Sequence, residues 1–123
     1  MQPVQHSEIP TPAGHYSPIV EHGGLLYVSG QLPVDPATGD VPEGVEAQTE
    51  VALANVDRLL VAAGVDRTHV IQARIYVSDV GLWGRVNDVY AAFFGDHRPA
   101  RVVVPTGPLH HGCLVEIECT ASA

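Results

Sequence analysis

Leu114-Val115-Glu116-Ile117-Glu118-Cys119-Thr120 is the stretch from which the rest of the chain is best read. Side chains of a strand alternate between its faces, so Val115, Ile117, Cys119 and the following Ala121 share one side, and Leu114, Glu116, Glu118 and Thr120 the other. The apolar side must be covered by other elements of the chain. The polar side is left to solvent or to a second subunit. The segment therefore predicts a strand in a sheet that is coated on one face and open on the other.

The coat is found upstream. Val45, Ala52, Val56, Leu59, Leu60 and Ala63 recur at helical spacing and Gly64 follows where a helix-ending glycine belongs, which predicts a helix over Val45 to Ala63. Leu82, Val86, Val89, Tyr90, Phe93 and Phe94 form a second amphipathic helix closed by Gly95. Strands are predicted at Leu25 to Ser29, entered through Gly23-Gly24 and left through Gly30, and at Val70 to Val77 and Val102 to Val104. Asp35-Pro36 with Thr38-Gly39 makes a turn. Residues 1–18, rich in proline from Pro3 to Pro18, read as an extended N-terminal arm. The order β, α, β, α, β, β, without repeats, gives an α+β class in one domain over residues 1–123.

Composition limits the partners. A chain of 123 residues with 46% hydrophobic and 16% charged side chains suits one globular domain. So small a domain leaves roughly a third of its unfolded-chain surface exposed, which favours covering an open sheet by association. Six basic residues against 14 acids, net charge −8, leave no basic run for a nucleic acid or an anionic membrane. No apolar stretch approaches a membrane span, and the first residues lack the pattern of a secretion signal. Cys113 and Cys119, read in one strand, would sit about 20 Å apart on one face, too far for a disulfide. Reduced thiols with no targeting signal fit a cytoplasmic setting.

Several strings, in order and over nearly the whole chain, resemble the Rid family, also called YjgF-like. They are Gly14-His15-Tyr16-Ser17-Pro18, Val28-Ser29-Gly30-Gln31, Asp35-Pro36 with Thr38-Gly39, Val86-Asn87-Asp88-Val89-Tyr90, Arg98-Pro99-Ala100-Arg101 and Val115-Glu116-Ile117-Glu118. The resemblance implies a chorismate-mutase-like fold, a mixed sheet with two helices on one face, assembled as a homotrimer with clefts between subunits. It also implies hydrolysis of reactive 2-imino and enamine acids to 2-oxo acids and ammonia, with no metal or organic cofactor. On this resemblance Arg101 anchors the substrate carboxylate, a task its guanidinium fork suits, and Glu116 positions water. Tyr16, Ser29 and Asn87 line the cleft.

Other readings of the same residues remain open. Glu118 shares the face of Glu116 and could equally be an ion-pair partner, and Arg98 reads as a surface arginine paired with an acid. His110, His111 and Cys113 cluster without a zinc-type spacing; as strand neighbours the two histidines would face opposite ways, one of them lining the cleft. Departures from the family pattern are His15 and Pro18 in the arm, Val103 two residues after the arginine, and the loop Pro105 to Gly112. They leave room for a regulatory trimer that binds small carboxylates without turnover, or for a deaminase dedicated to one pathway, of aminomuconate or aminoacrylate type. Ser29 has no recognisable histidine and acid partners for a nucleophilic mechanism.

Overall fold

The computed structural model describes residues 1–123. Six strands, β1 (Gln2–Pro3), β2 (Ile19–His22), β3 (Leu25–Gln31), β4 (Val70–Val77), β5 (Ala100–Pro105) and β6 (Val115–Ser122), and two helices, α1 (Val45–Ala62) and α2 (Trp83–Phe94), account for the regular structure. The sheet runs β1-β2-β3-β6-β4-β5. Only β4 and β5 pair in parallel, so the sheet is mixed as expected. Both helices pack on one face.

The alternation of β6 holds residue by residue. Val115, Ile117, Cys119 and Ala121 are at most 1% exposed, whereas Glu116, Glu118 and Thr120 are half-buried on the open side. The core gathers these with Leu26, Val28, Ala73, Ile75 and Val77 of the sheet and Val45, Ala52, Val56, Leu59, Leu60, Val86, Tyr90 and Phe94 of the helices. Three polar groups on the buried side of α1 are satisfied. Asn55 Nδ2 donates to the Leu32 and Val34 carbonyls, Thr49 to the Val45 carbonyl, and Gln48 both donates to the Pro42 carbonyl and accepts from the Leu114 amide. They tie the loop after β3 and the entry to β6 onto one helix.

Both helix ends fall at glycines, Gly64 with φ 88° and Gly95 with φ 62°. Two strands lie where the sequence predicts none, β1 in the arm and β2 directly after it. Ile19–His22 buries only Ile19, and it is a strand because Gly23-Gly24, both at positive φ, turn it back onto β3. Nor does β3 stop at Ser29. It continues to Gln31 through an irregularity against β6 between Val28 and Gln31, and Gly30 sits within it.

Two expectations about the C-terminal region are corrected. Cys113 precedes β6 instead of belonging to it, although both cysteines are buried and free. His110 and His111 are not strand neighbours, because they occupy a tight 3₁₀ turn in which His111 has φ 58° and the two rings meet edge to face. No helix is long and apolar enough to cross a membrane.

Candidate active site in two separate halves

Arg101 is the second residue of β5, opposite Ala73 of β4. Ala73 faces the core, and Arg101 points to the same side of the sheet, where it meets the flank of α2. Its Nη1 donates to Asn87 Oδ1 at 2.8 Å, and the guanidinium carbon lies 4.9 Å from the Tyr90 ring centre and 5.6 Å from that of Trp83. Trp83, Asn87, Tyr90 and Phe94 follow one another at helical spacing, so one side of α2 forms the seat. Three of the six arginines pair with carboxylates: Arg67 with Asp57, Arg74 with Glu118 and Arg85 with Glu46. Arg101 has no such partner. It is half-buried, with one nitrogen held by a neutral amide and its other donors uncommitted. Next to it a cleft of about 510 Å³ is lined by Tyr90, Phe94, His97, Arg98 and Pro99.

The other expected residues meet elsewhere. Tyr16, Ser29 and Glu116 border a second cleft, of about 450 Å³, together with Gly30, Leu32, His110 and Glu118. Glu118 is the paired member of the two glutamates, accepting from Arg74 Nε at 3.1 Å and from the Tyr76 hydroxyl. That bond raises the pKa of Tyr76. Glu116 takes part in no hydrogen bond or ion pair; its carboxylate rests against the backbone of Gly30, where any Cβ would collide with it. Gly30 stands beside Ser29 in a family-like string, but nothing in the sequence alone marks it as bordering a carboxylate. Its role shows only once the two strands are paired.

Ser29 holds the arm. Its hydroxyl donates to the Ser17 carbonyl at 2.7 Å and its amide to the Pro18 carbonyl, which places Tyr16 at the rim with just over half of its surface exposed. The hydroxyl proton being committed, Ser29 can offer a ligand only lone pairs. His110 borders this cleft and His111 does not. No three His, Cys, Asp or Glu side chains come together in a metal-holding group. Arg98 is exposed and unpaired, not ion-paired as its sequence context suggested.

Within one chain the halves do not meet. Glu116 pairs with Tyr76, three residues along β4 from the Ala73 that pairs with Arg101, and β6 and β5 flank β4 on opposite sides. Three residues at about 3.3 Å and two strand spacings at about 4.8 Å put the Cα atoms about 14 Å apart. The two side chains also leave opposite faces of the sheet. One chain therefore presents an arginine half on the helix side and a glutamate half on the open side.

A family model described as endoribonuclease L-PSP matches residues 6–123. A RutC family protein of Pyrococcus horikoshii is 39% identical over 113 residues, covering 91% of this chain and 90% of that one. The 2-iminobutanoate/2-iminopropanoate deaminase of Bos taurus is 39% identical over 119 residues, covering 96% of this chain and 87% of that protein. Among solved structures, Escherichia coli TdcF with bound serine superposes with a TM-score of 0.92 at 31% identity, covering 100% of this chain and 99% of the other. A family match over nearly the whole length, with sustained identity and the same fold, means that the chain belongs to the endoribonuclease L-PSP family, that is, to the Rid or YjgF-like proteins.

Proposed function

We propose that this protein hydrolyses 2-imino and enamine acids to 2-oxo acids and ammonia, at a site built from the Arg101 half of one copy and the Glu116 half of another. The observation that carries the reading is the half-buried Arg101 guanidinium, fixed by Asn87 and facing no carboxylate of its own chain. A cation so placed suits a small carboxylate, which it can grip through two parallel N–H···O bonds. The bovine relative's name is that of such a deaminase, and TdcF was solved with serine, a ligand that bears a carboxylate.

The chemistry asks for positioning. With the carboxylate on Arg101, the neighbouring iminium carbon is electrophilic without further activation. Glu116, unpaired above the bare backbone of Gly30, accepts a proton from a water as its oxygen adds to that carbon. Nitrogen of the carbinolamine then takes up the proton held by Glu116, ammonia leaves as the C–N bond breaks, the hydroxyl proton passes back to the carboxylate as the C=O forms, and the 2-oxo acid remains. A C–O bond replaces the C–N bond with no net oxidation or reduction, so the step calls for no redox cofactor. Tyr16 walls the cleft from the arm that Ser29 tethers. Holding water and imine in contact accounts for most of the acceleration.

Association through the open sheet face joins the halves, and a closed trimer is the assembly we propose. The family's nuclease description finds no support in a net charge of −8, or in six basic side chains of which three are bound to carboxylates.

The test is ammonia and 2-oxo acid release from imines generated in situ by an amino-acid oxidase. Acceleration by the wild type that is lost in Arg101→Ala at equal oligomer content is expected. Absence of acceleration across small, acidic and aromatic imino acids would leave a carboxylate-binding protein without turnover.

A further inference from the structure

All six basic side chains of this acidic chain are arginines. Three are neutralised by carboxylates, and Arg58, held by Asn55 much as Arg101 is by Asn87, lines a different cleft beside Leu32 and Val34. The remaining two, Arg98 and Arg101, line the same cleft between α2 and the turn that leads into β5. They are three residues apart, so their Cα atoms lie within about 10 Å, and Pro99 between them restricts the backbone. Asp96, the nearest acid in sequence, pairs with neither arginine and does not line the cleft. His97, on the same wall, is committed through Nε2 to the Val70 carbonyl at 2.7 Å. Tyr90 and Phe94 supply an apolar floor. At about 510 Å³ the space is of ordinary size for a small-molecule site.

A substrate with one carboxylate needs only Arg101. A cleft that continues past it over an aromatic floor to a second unpaired guanidinium, in a protein otherwise poor in positive charge, suits a ligand with an acid at each end. We infer that the preferred ligands are four- to six-carbon diacids, 2-imino or 2-oxo dicarboxylates, whose 1-carboxylate sits on Arg101 and whose distal carboxylate reaches Arg98. This deepens the proposed function and rests on Arg101 as the carboxylate anchor. Arg98 acts here as a specificity residue outside the chemistry, at the open end of the cleft.

Direct binding by calorimetry, with the assembled protein and stable 2-oxo acids as probes, separates the two ideas because it does not require turnover. The comparison is 2-oxoglutarate with 2-oxopentanoate, equal in carbon number, on wild type, Arg98→Gln and Arg85→Gln. Arg85→Gln removes the same charge from a surface ion pair with Glu46 and serves as the control. The diacid is expected to bind more tightly to wild type, with Arg98→Gln weakening it about three- to tenfold and leaving the monoacid unchanged. Arg85→Gln should change neither. Equal affinity of the two acids for wild type, or equal weakening of both by Arg98→Gln, overturns the diacid inference and leaves the Arg101 anchor standing. Failure of both acids to bind overturns the anchor as well.

Discussion

If the site joins two copies, subunits that are each dead must restore one another when mixed. Arg101→Ala removes the proposed carboxylate anchor and Glu116→Gln the proposed proton acceptor, so either variant alone should be nearly inactive. After co-refolding at equal amounts, each site draws its arginine half and its glutamate half from the pool independently. A site is intact only when the first comes from a Glu116→Gln chain and the second from an Arg101→Ala chain, so about a quarter of wild-type activity should return. The Cα separation of about 14 Å and the opposite faces of the sheet are why no single chain can supply both halves. A second mixture sharpens the number. Wild type diluted one to one with the Arg101→Ala, Glu116→Gln double variant should also fall to about a quarter, because both halves must be wild type; a site within one chain would retain about a half. Ammonia release, with size-exclusion chromatography to confirm equal assembly, reads both experiments. Recovery no greater than the sum of the two variants, together with half activity in the dilution, would refute the two-copy site.

Gly30→Ala should leave the fold in place, with unfolding free energy changed by less than about 1 kcal/mol, because the clash is with the end of a flexible side chain. It should nevertheless lower kcat/KM about 10- to 100-fold by displacing Glu116; unchanged kinetics would argue against that carboxylate's role. Ser29→Ala removes the tether to Ser17, so limited proteolysis within residues 1–18 should quicken while the thermal midpoint of the sheet hardly moves. Burial holds the Cys119 thiol at about 12, above its ordinary 9. The unfolded chain therefore loses that proton first as pH rises. Stability should decline by up to about 1.4 kcal/mol per pH unit from pH 9 towards 12, and urea titrations of Cys119→Ala should lack this component. Leu60→Ala, at a fully buried position on α1, should cost about 3 kcal/mol in the same assay.

Periodicity carried the layered architecture. The alternation of 115–121, the apolar side of 45–63 and the two helix-ending glycines needed no tertiary information, and β4 begins and ends where its β-branched composition does. Ile19–His22 was invisible because four residues with one buried side chain carry no period; pairing through Gly23-Gly24 makes it a strand. The motif strings named Arg101, Asn87, Tyr16, Ser29 and Glu116, but their grouping was not legible. Which way Arg101 points depends on its register against Ala73, and the short edge strand β5 mixes half-buried and exposed side chains on both faces, so no pattern in its own residues decides it. Likewise Gly30 gains meaning only when β3 slips against β6, and the two histidines turn at 110–112 because His111 takes up a left-handed backbone.

The position of β6 has a bearing on how the molecule is made. Strands β1, β2 and β3 form one hydrogen-bonded group and β4 with β5 another, and the only ladder between the groups runs through residues 115–122, which follow every other element in the chain. Gln31 waits for Ile117, and Leu25 for Ser122. Until that last segment emerges from the ribosome, two half-sheets with raw edges must coexist beneath incompletely covered helices. Their closure is a single non-local event, of the kind that makes folding slow and exposes nascent chains to edge-to-edge association. The strand that carries Glu116 is thus also the keystone of assembly, and lesions between 115 and 122 should show up first as lost yield in synthesis, before any lost turnover can be measured.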